Sequence, residues 1–305
     1  MSEPRRIAYL IIAHFDAPHL ARLVHALDDT GDIYVHLDAK ANVEEFRRAL
    51  AGHPDVIFVE PRVRISWASI TQIDASLRTI RAVLDRRSDY CHLVMLSGTC
   101  YPLKPPRQIA SYLCAHAGHE FIRYIDMRRS PEHYLKLIDS KWFKEPLYRG
   151  QSGPLVLADK ALRRGLNLLR LKNPRLPEFI PYHGSAFWAL TPQFLRYAID
   201  YVQAHPAYYE MHRYTFSPDE FFYHTLVGNS KFSANATGLQ ALQGRGTWRM
   251  ANLHHIHPSL AKWYRLEDWE EVSKSDKFFV RKVTTPLSTS LLDRIDAELL
   301  GRGRT

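Results

Sequence analysis

Two hydrophobic periods alternate along the first 125 residues. Residues 7–13 form an unbroken apolar run of strand length, and residues 32–37, 56–59, 92–96 and 120–125 read the same way. Helical stripes lie between them: Leu20, Leu23, Val24 and Leu27 within 18–27; a short stretch at 43–50; Ile70, Ile73, Leu77, Ile80 and Leu84 within 67–84; and 106–113. A strand that is apolar throughout is covered on both faces. Strands alternating with helices therefore predict an α/β, Rossmann-like, mixed and mostly parallel sheet flanked by helices. Ligands on such sheets bind beyond the carboxyl ends of the strands.

From residue 126 to 182 the pattern changes to helices and loops rich in bases and aromatics. Residues 184–190 then read as a strand, and 192–204 and 218–226 as helices. The tail from Trp248 has a strand-like stretch, a helix near 266–272, a strand at 277–283 and a final helix at 290–300. No repeat, low-complexity tract or long linker interrupts the chain, so a single domain over 1–305 is expected.

An apolar fraction of 46% with 24% charged residues excludes a disordered chain. No apolar run approaches the roughly 18 residues of a transmembrane helix, and the start carries no secretory h-region. Cys91, Cys100 and Cys114 are odd in number and outline no disulfide framework, which reads as a reducing cytoplasm. The net charge of +9 points to an anionic partner: nucleic acid, anionic lipid or a phosphorylated small molecule. A basic surface without a specific partner accounts for it equally well.

Five segments carry candidate chemistry. In FSPDEFF (216–222), Ser217 with Glu220 three residues on has the form of a capping box, with Pro218 at the first helical position. Either Glu220 only caps a helix, or it presents a carboxylate as a general base, with Asp219 as its competitor. In FFVRKV (278–283), two adjacent cations interrupt an apolar strand. They read as a salt bridge, a solvated edge pair or a diphosphate clamp. LSGTCYPLK (96–104) ends a buried strand in a Ser97-Gly98 turn, where glycine permits close backbone approach. Asp38 lies just past a strand end, either as a turn cap or as an acceptor for a base or ribose. His254, His255 and His257 fall on different faces of a strand, which argues against a metal site. Neither G-x-x-x-x-G-K-[ST] nor G-x-G-x-x-G occurs. Asp-x-Asp is also absent, so a sugar-nucleotide enzyme built on this chain would neutralise its leaving diphosphate without that metal-holding pair.

Read in order, IAYLIIAH (7–14), VHLDAK (35–40), ISWAS (65–69), LSGTCYPLK (96–104), GSAFW (184–188), SPDE (217–220) and FVRK (279–282) resemble the family of core-2/I-branching β-1,6-N-acetylglucosaminyltransferases and peptide O-xylosyltransferases. The resemblance runs over nearly the whole chain. It implies a GT-A fold, with a nucleotide-binding half (1–125) and an acceptor and catalytic half (126–305). It implies inverting transfer from a UDP-α-sugar, GlcNAc or xylose, to a hydroxyl of a glycan or lipid-linked acceptor. No cofactor and no divalent metal are expected.

By the same resemblance, Glu220 matches the catalytic base. Lys282, with Arg281 beside it, matches the diphosphate contact. Ala13, His14, Asp38 and Trp67 match the uracil-ribose end, and Ser97 and Gly98 complete the donor site. Two departures stand out. His254 occupies the place of a second diphosphate-binding base, leaving Arg249, Arg245 or a protonated His254 to substitute. Cys100 stands where Asp is common. The stretch 123–149, with Trp142, Lys144 and Tyr148, together with Trp188 and Trp248, is the expected acceptor wall, though packing explains each Trp as well. Lacking the anchor and disulfides of secreted-pathway relatives, the chain reads as a cytoplasmic form, peripheral at an anionic membrane. The rival readings are a basic nucleic-acid-binding module, for which no motif occurs, and a metal-dependent transferase of the same fold.

Overall fold

The computed structural model describes residues 6–27, 30–130, 132–147, 153–176, 178–242, 244 and 246–302. Its strands are β1 (Ile7–Ala13), β2 (Gly31–Leu37), β3 (Ile57–Phe58), β4 (Leu93–Ser97), β5 (Cys100–Pro102), β6 (Glu120–Asp126), β7 (Tyr182–Gly184), β8 (Ala189–Leu190), β9 (Ala236–Leu239), β10 (His254–Ile256) and β11 (Phe279–Arg281). The main sheet runs β3-β2-β1-β4-β8-β6-β7, with β9 also paired to β6. β1 is parallel to β2 and β4, and β2 to β3. Antiparallel pairs enter beyond β4, through β8 and β7, while β9 is again parallel to β6. The sheet is thus mixed and mostly parallel, with helices on both faces, in a single domain.

Residue alternation along β1 explains both layers. Ile7, Tyr9, Ile11 and Ala13 pack with Leu20, Leu23 and Leu27 of the helix Ala17–Leu27 and with Leu291 and Leu292 of the helix Thr285–Glu298. Ala8 and Leu10 point the other way, against Ile73, Leu77 and Ile80 of the helix Thr71–Arg86 and Phe194 and Leu195 of the helix Pro192–Ala204. Burying each such Leu or Ile contributes about 1.5–3 kcal/mol. One charge in β1 would therefore disrupt one layer outright.

Three local expectations are corrected. Residues 184–190 are not one strand: Ser185 to Trp188 break it, and only the flanks β7 and β8 pair. Residues 218–226 are not one helix either. A 3-10 turn at Pro218–Glu220 stops at Phe221, whose extended φ of −149° ends it before the helix Phe222–Gly228 begins. The third correction concerns cysteine. Cys91, just before β4, is disulfide-bonded to Cys114 in the helix Pro106–Ala115, and Cys100 is the free thiol. Strand and helix lie side by side, so residues 23 apart in sequence meet. This bond removes the cysteine argument for a reducing compartment.

A second, three-stranded sheet, β10-β11-β5, positions the site. β11, near the C-terminus, pairs antiparallel with β5 and sets Arg281 opposite Cys100. The end of the chain is thereby brought to the loop that follows β4. Among the described residues, no helix is long and apolar enough to cross a membrane.

Candidate active site

The carboxyl ends of β1, β2 and β4 converge. Ala13 ends β1, and its carbonyl accepts from the Asp38 N–H just past β2 at 2.9 Å. Asp38 is buried; its Oδ1 accepts from the Lys40 N–H at 2.9 Å, and its Oδ2 lies 3.3 Å from the Lys40 ammonium. The turn-cap role is therefore real, and the carboxylate still stands at the strand end. His14 is exposed beside it. Desolvation lowers the His14 pKa, opposed by Asp38 and reinforced by Lys40 and Arg281. Gly98 follows β4, and a Cβ there would lie 2.8 Å from the Ala13 Cβ. Its close approach is thus to the end of β1, which lets the two strand ends share one rim.

Arg281 reaches this rim. Its Nε donates to Ser97 Oγ at 3.2 Å, and its guanidinium lies 4.8 Å from the Phe187 ring centre. Desolvation lowers the Arg281 pKa, while Cys100, Asp219 and Glu220 oppose that effect. The guanidinium therefore senses the carboxylates of the 218–220 turn. Lys282 lies over the Trp263 ring at 5.7 Å, its pKa lowered by desolvation and by Arg281. The two cations repel one another, an arrangement that favours an anion between or beside them. Cys100 is fully buried, its sulfur 3.3 Å from Ser97 Oγ and its pKa raised by burial. It supports Ser97, whose N–H and Oγ it meets.

The 218–220 turn bears on the capping reading of Glu220. Ser217 is left-handed, with φ 54°, and its side chain caps nothing; the Glu220 N–H instead bonds the Ser217 carbonyl at 3.0 Å. No capping box forms. The Glu220 carboxylate is partly exposed, with Oε2 3.4 Å from Nε2 of buried His183. The neighbouring Asp219 is likewise half-buried as a residue, but its Oδ1 is shut off from solvent, and its Oδ2 accepts from Gln72 Nε2 at 3.4 Å. Burial, aided by the charge of Glu220, pushes Asp219 up to about 7. Two adjacent carboxyls thus occupy different environments, the pattern that separates acid-base roles. The turn is anchored by the Ser217 N–H bonding the carbonyl of Ala68 at 3.1 Å, and Ala68 is itself left-handed with φ 58°. Two non-glycine residues in this sparsely populated region mark a constrained junction.

That junction carries the aromatic wall. Trp67 is 73% exposed and meets Phe216 edge-on at 5.5 Å; Trp142 also meets Phe216, at 5.2 Å. The Lys144 ammonium lies over all three rings, 4.5 Å from Phe216, 5.0 Å from Trp67 and 5.8 Å from Trp142. Burial lowers its pKa. Trp67 thus joins the Trp142 wall, while the preceding Ile65 N–H bonds Asp38 Oδ1 at 3.4 Å, linking that wall to the strand-end rim.

Other expectations are corrected or fall elsewhere. Trp188 is 1% exposed and packs edge-on against Tyr223 in the core, so it forms no wall. His254 is buried between Phe187 and Phe279, and burial pulls its pKa down to about 3, with Arg281 adding to the effect. Burial therefore works against a protonated His254 as the substitute cation. His255 pairs with Glu271 and His257 with Ser259, so the three imidazoles diverge. Arg249 is exposed on the turn Thr247–Met250. The Trp248 side chain, Arg245 and Tyr148 lie outside the described residues.

His183 and Gln72 join the candidate site from segments that sequence reasoning did not single out, and Phe216 and Phe187 from segments it quoted without giving these residues a role. His183 sits one residue before the stretch read as a strand, and nothing local links it to Glu220, 37 positions later. Only the neighbouring pair Tyr182-His183, aromatic and titratable ahead of Gly184, was available as a signal.

Comparison with known proteins gives this geometry a context. The family model described as Core-2/I-Branching enzyme matches residues 7–277. A xylosyltransferase of Ciona intestinalis is 22% identical, covering 98% of this chain and 34% of that protein. A human N-acetyllactosaminide beta-1,6-N-acetylglucosaminyl-transferase is 24% identical over 86% of this chain and 59% of its own length. Mouse xylosyltransferase 2 is 23% identical over 98% of this chain and 34% of its own. The chain thus spans between about a third and three fifths of these relatives.

Proposed function

The chain belongs to the core-2/I-branching enzyme family, and from that premise we propose that it is an inverting glycosyltransferase. It moves GlcNAc or xylose from a UDP-sugar to a hydroxyl of a glycan or lipid-linked acceptor, forming a β-linkage. The observation that carries the reading is the Glu220 carboxylate. It is released from a capping role, stands against His183, and acts electrostatically on Arg281, which in turn binds Ser97 at the strand-end rim.

In this reading Glu220 accepts the acceptor hydroxyl proton as its oxygen attacks the anomeric carbon. The bond from that carbon to the diphosphate oxygen breaks on the opposite face, and UDP departs with the electron pair. Arg281 and Lys282 hold the charge that develops there, in place of a metal. Asp38, His14, Ala13 and Trp67 would receive the uracil-ribose end, and Phe216, which Trp67 meets edge-on, and Trp142 would offer flat apolar faces to an acceptor sugar.

The deciding experiment is thermal-shift titration with UDP-GlcNAc, UDP-xylose and other UDP-sugars, with and without EDTA, followed by the anomeric configuration of the product. Stabilisation by a UDP-sugar that survives EDTA, and a β-product, are expected. An α-product, or strict Mn²⁺ dependence, overturns the mechanism. Salt-sensitive binding to random DNA with no UDP affinity would revive the nucleic-acid reading.

A further inference from the structure

A surface helix beside the aromatic wall is built the wrong way round for a globular protein. The helix Pro154–Leu168 attaches to the body by its polar residues. Asp159 is buried: its Oδ1 accepts from the Leu147 N–H at 2.7 Å, and its Oδ2 pairs with Arg163 at 2.9 Å. Arg163 also reaches the Lys144 carbonyl at 3.4 Å, and Asn167 Oδ1 accepts from the Phe143 N–H at 2.8 Å. Residues 159, 163 and 167 share one face by helical spacing, and that face is the one docked.

The leucines point away. Leu157 is 71% exposed, Leu168 74% and Leu169 66%, with Leu155, Leu162 and Leu171 exposed as well. Isolated exposed leucines need no explanation, but six within seventeen residues form a contiguous apolar strip. The strip is flanked by cations. Lys160, Arg164 and Arg170 make no ion pair among the described residues, and Lys172 follows. The one acid between 153 and 172, Asp159, is buried and already paired, so no negative charge faces outward here. A shallow cavity of about 420 Å³ opens beside the strip, lined by Trp142, Lys144, Lys160, Arg163, Arg164 and Arg170.

We propose that the helix Pro154–Leu168 and residues 169–172 form an in-plane docking surface for an anionic phospholipid bilayer. Leucines enter the acyl boundary, the flanking bases meet the headgroups, and the basic cavity receives a headgroup phosphate. Charge complementarity favours this occupant over a second copy of the chain, because a two-fold pairing of this face would bring its cations toward each other. The surface is continuous through Lys144 with Trp142 and Trp67. Docking there would hold the acceptor wall at the membrane surface, where a lipid-linked acceptor presents its sugar.

The test is flotation of the full chain with phosphatidylcholine vesicles, with and without phosphatidylglycerol, at low and high salt and without donor or acceptor. Binding is expected only with phosphatidylglycerol and falls as salt rises. The double variants Leu157→Glu/Leu168→Glu and Lys160→Glu/Arg164→Glu are expected to bind at least about tenfold more weakly. All four side chains are exposed, so circular dichroism and melting remain those of the parent. No binding to anionic vesicles, or unchanged binding by both double variants, overturns the proposal. A solution dimer that Leu157→Glu/Leu168→Glu dissolves, with vesicles left unbound, overturns it in favour of a second copy. Because no transfer is measured, failure here leaves the glycosyltransferase reading untouched.

Discussion

Glu220 Oε2 stands 3.4 Å from Nε2 of His183, a histidine buried in β7 on the far side of a 37-residue separation. Asp219, next in the chain, turns inward to Gln72 instead. The turn therefore divides two carboxyls into one that meets His183 and one whose Oδ1 is shut off from solvent.

Glu220→Gln keeps shape and removes the proton acceptor. Transfer is expected to fall about 10²–10⁴-fold, with UDP affinity unchanged by calorimetry. Full turnover in this variant would strip Glu220 of its role as base.

Asp219 governs a pH effect of defined sign. Burial raises its folded-state pKa to about 7 from an ordinary value of 3.8. The neutral form is favoured in the folded protein, so the stability this group contributes is full below about pH 4 and lost as pH rises through 7. Asp219→Asn should flatten that decline. Melting temperatures across pH 5–8 would check it, the variant gaining on the parent toward pH 8.

Arg281 and Lys282 are expected to act on the diphosphate. Arg281→Ala should weaken UDP binding by about 10–100-fold, as loss of a charge-assisted bond of 1.5–3 kcal/mol implies. Binding of uridine, which has no diphosphate, should change little. Arg281→Lys should rescue poorly, since a compact ammonium lacks the planar fork that sets the Ser97 bond apart from donors directed at the ligand. Equal losses for UDP and uridine would instead point to a collapsed pocket.

The Cys91–Cys114 bond predicts thiol counts. Denatured without reductant, the chain should expose one reactive thiol, Cys100, and after reduction three. Reduction should lower stability by about 3.4 kcal/mol, the chain-entropy value for closing a loop of this length. Three thiols without reductant would show the cysteines unpaired.

The strands β1, β2, β4 and β6 and their covering helices were legible because period-2 and period-3.6 patterns are local. The convergence of Ala13, Asp38, Ser97 and Gly98 followed from them, since parallel strands end on one edge. Arg281 and Glu220 were legible only as an odd cation pair and an apparent cap. The cap misled because a left-handed Ser217, tied to Ala68 149 positions earlier, overrode the local helix signal.

The sequence by itself determined the two-layered core, the strand-end rim and the residue types available for chemistry, all of which depend on short-range periodicity and turn composition. Tertiary structure decided which of those residues meet. It buried Trp188 and His254, paired Cys91 with Cys114, set Arg281 on Ser97 and Glu220 against His183, and turned a strip of leucines to the outside. Burial and long-range pairing set charge state and exposure, and neither is encoded in spacing along the chain.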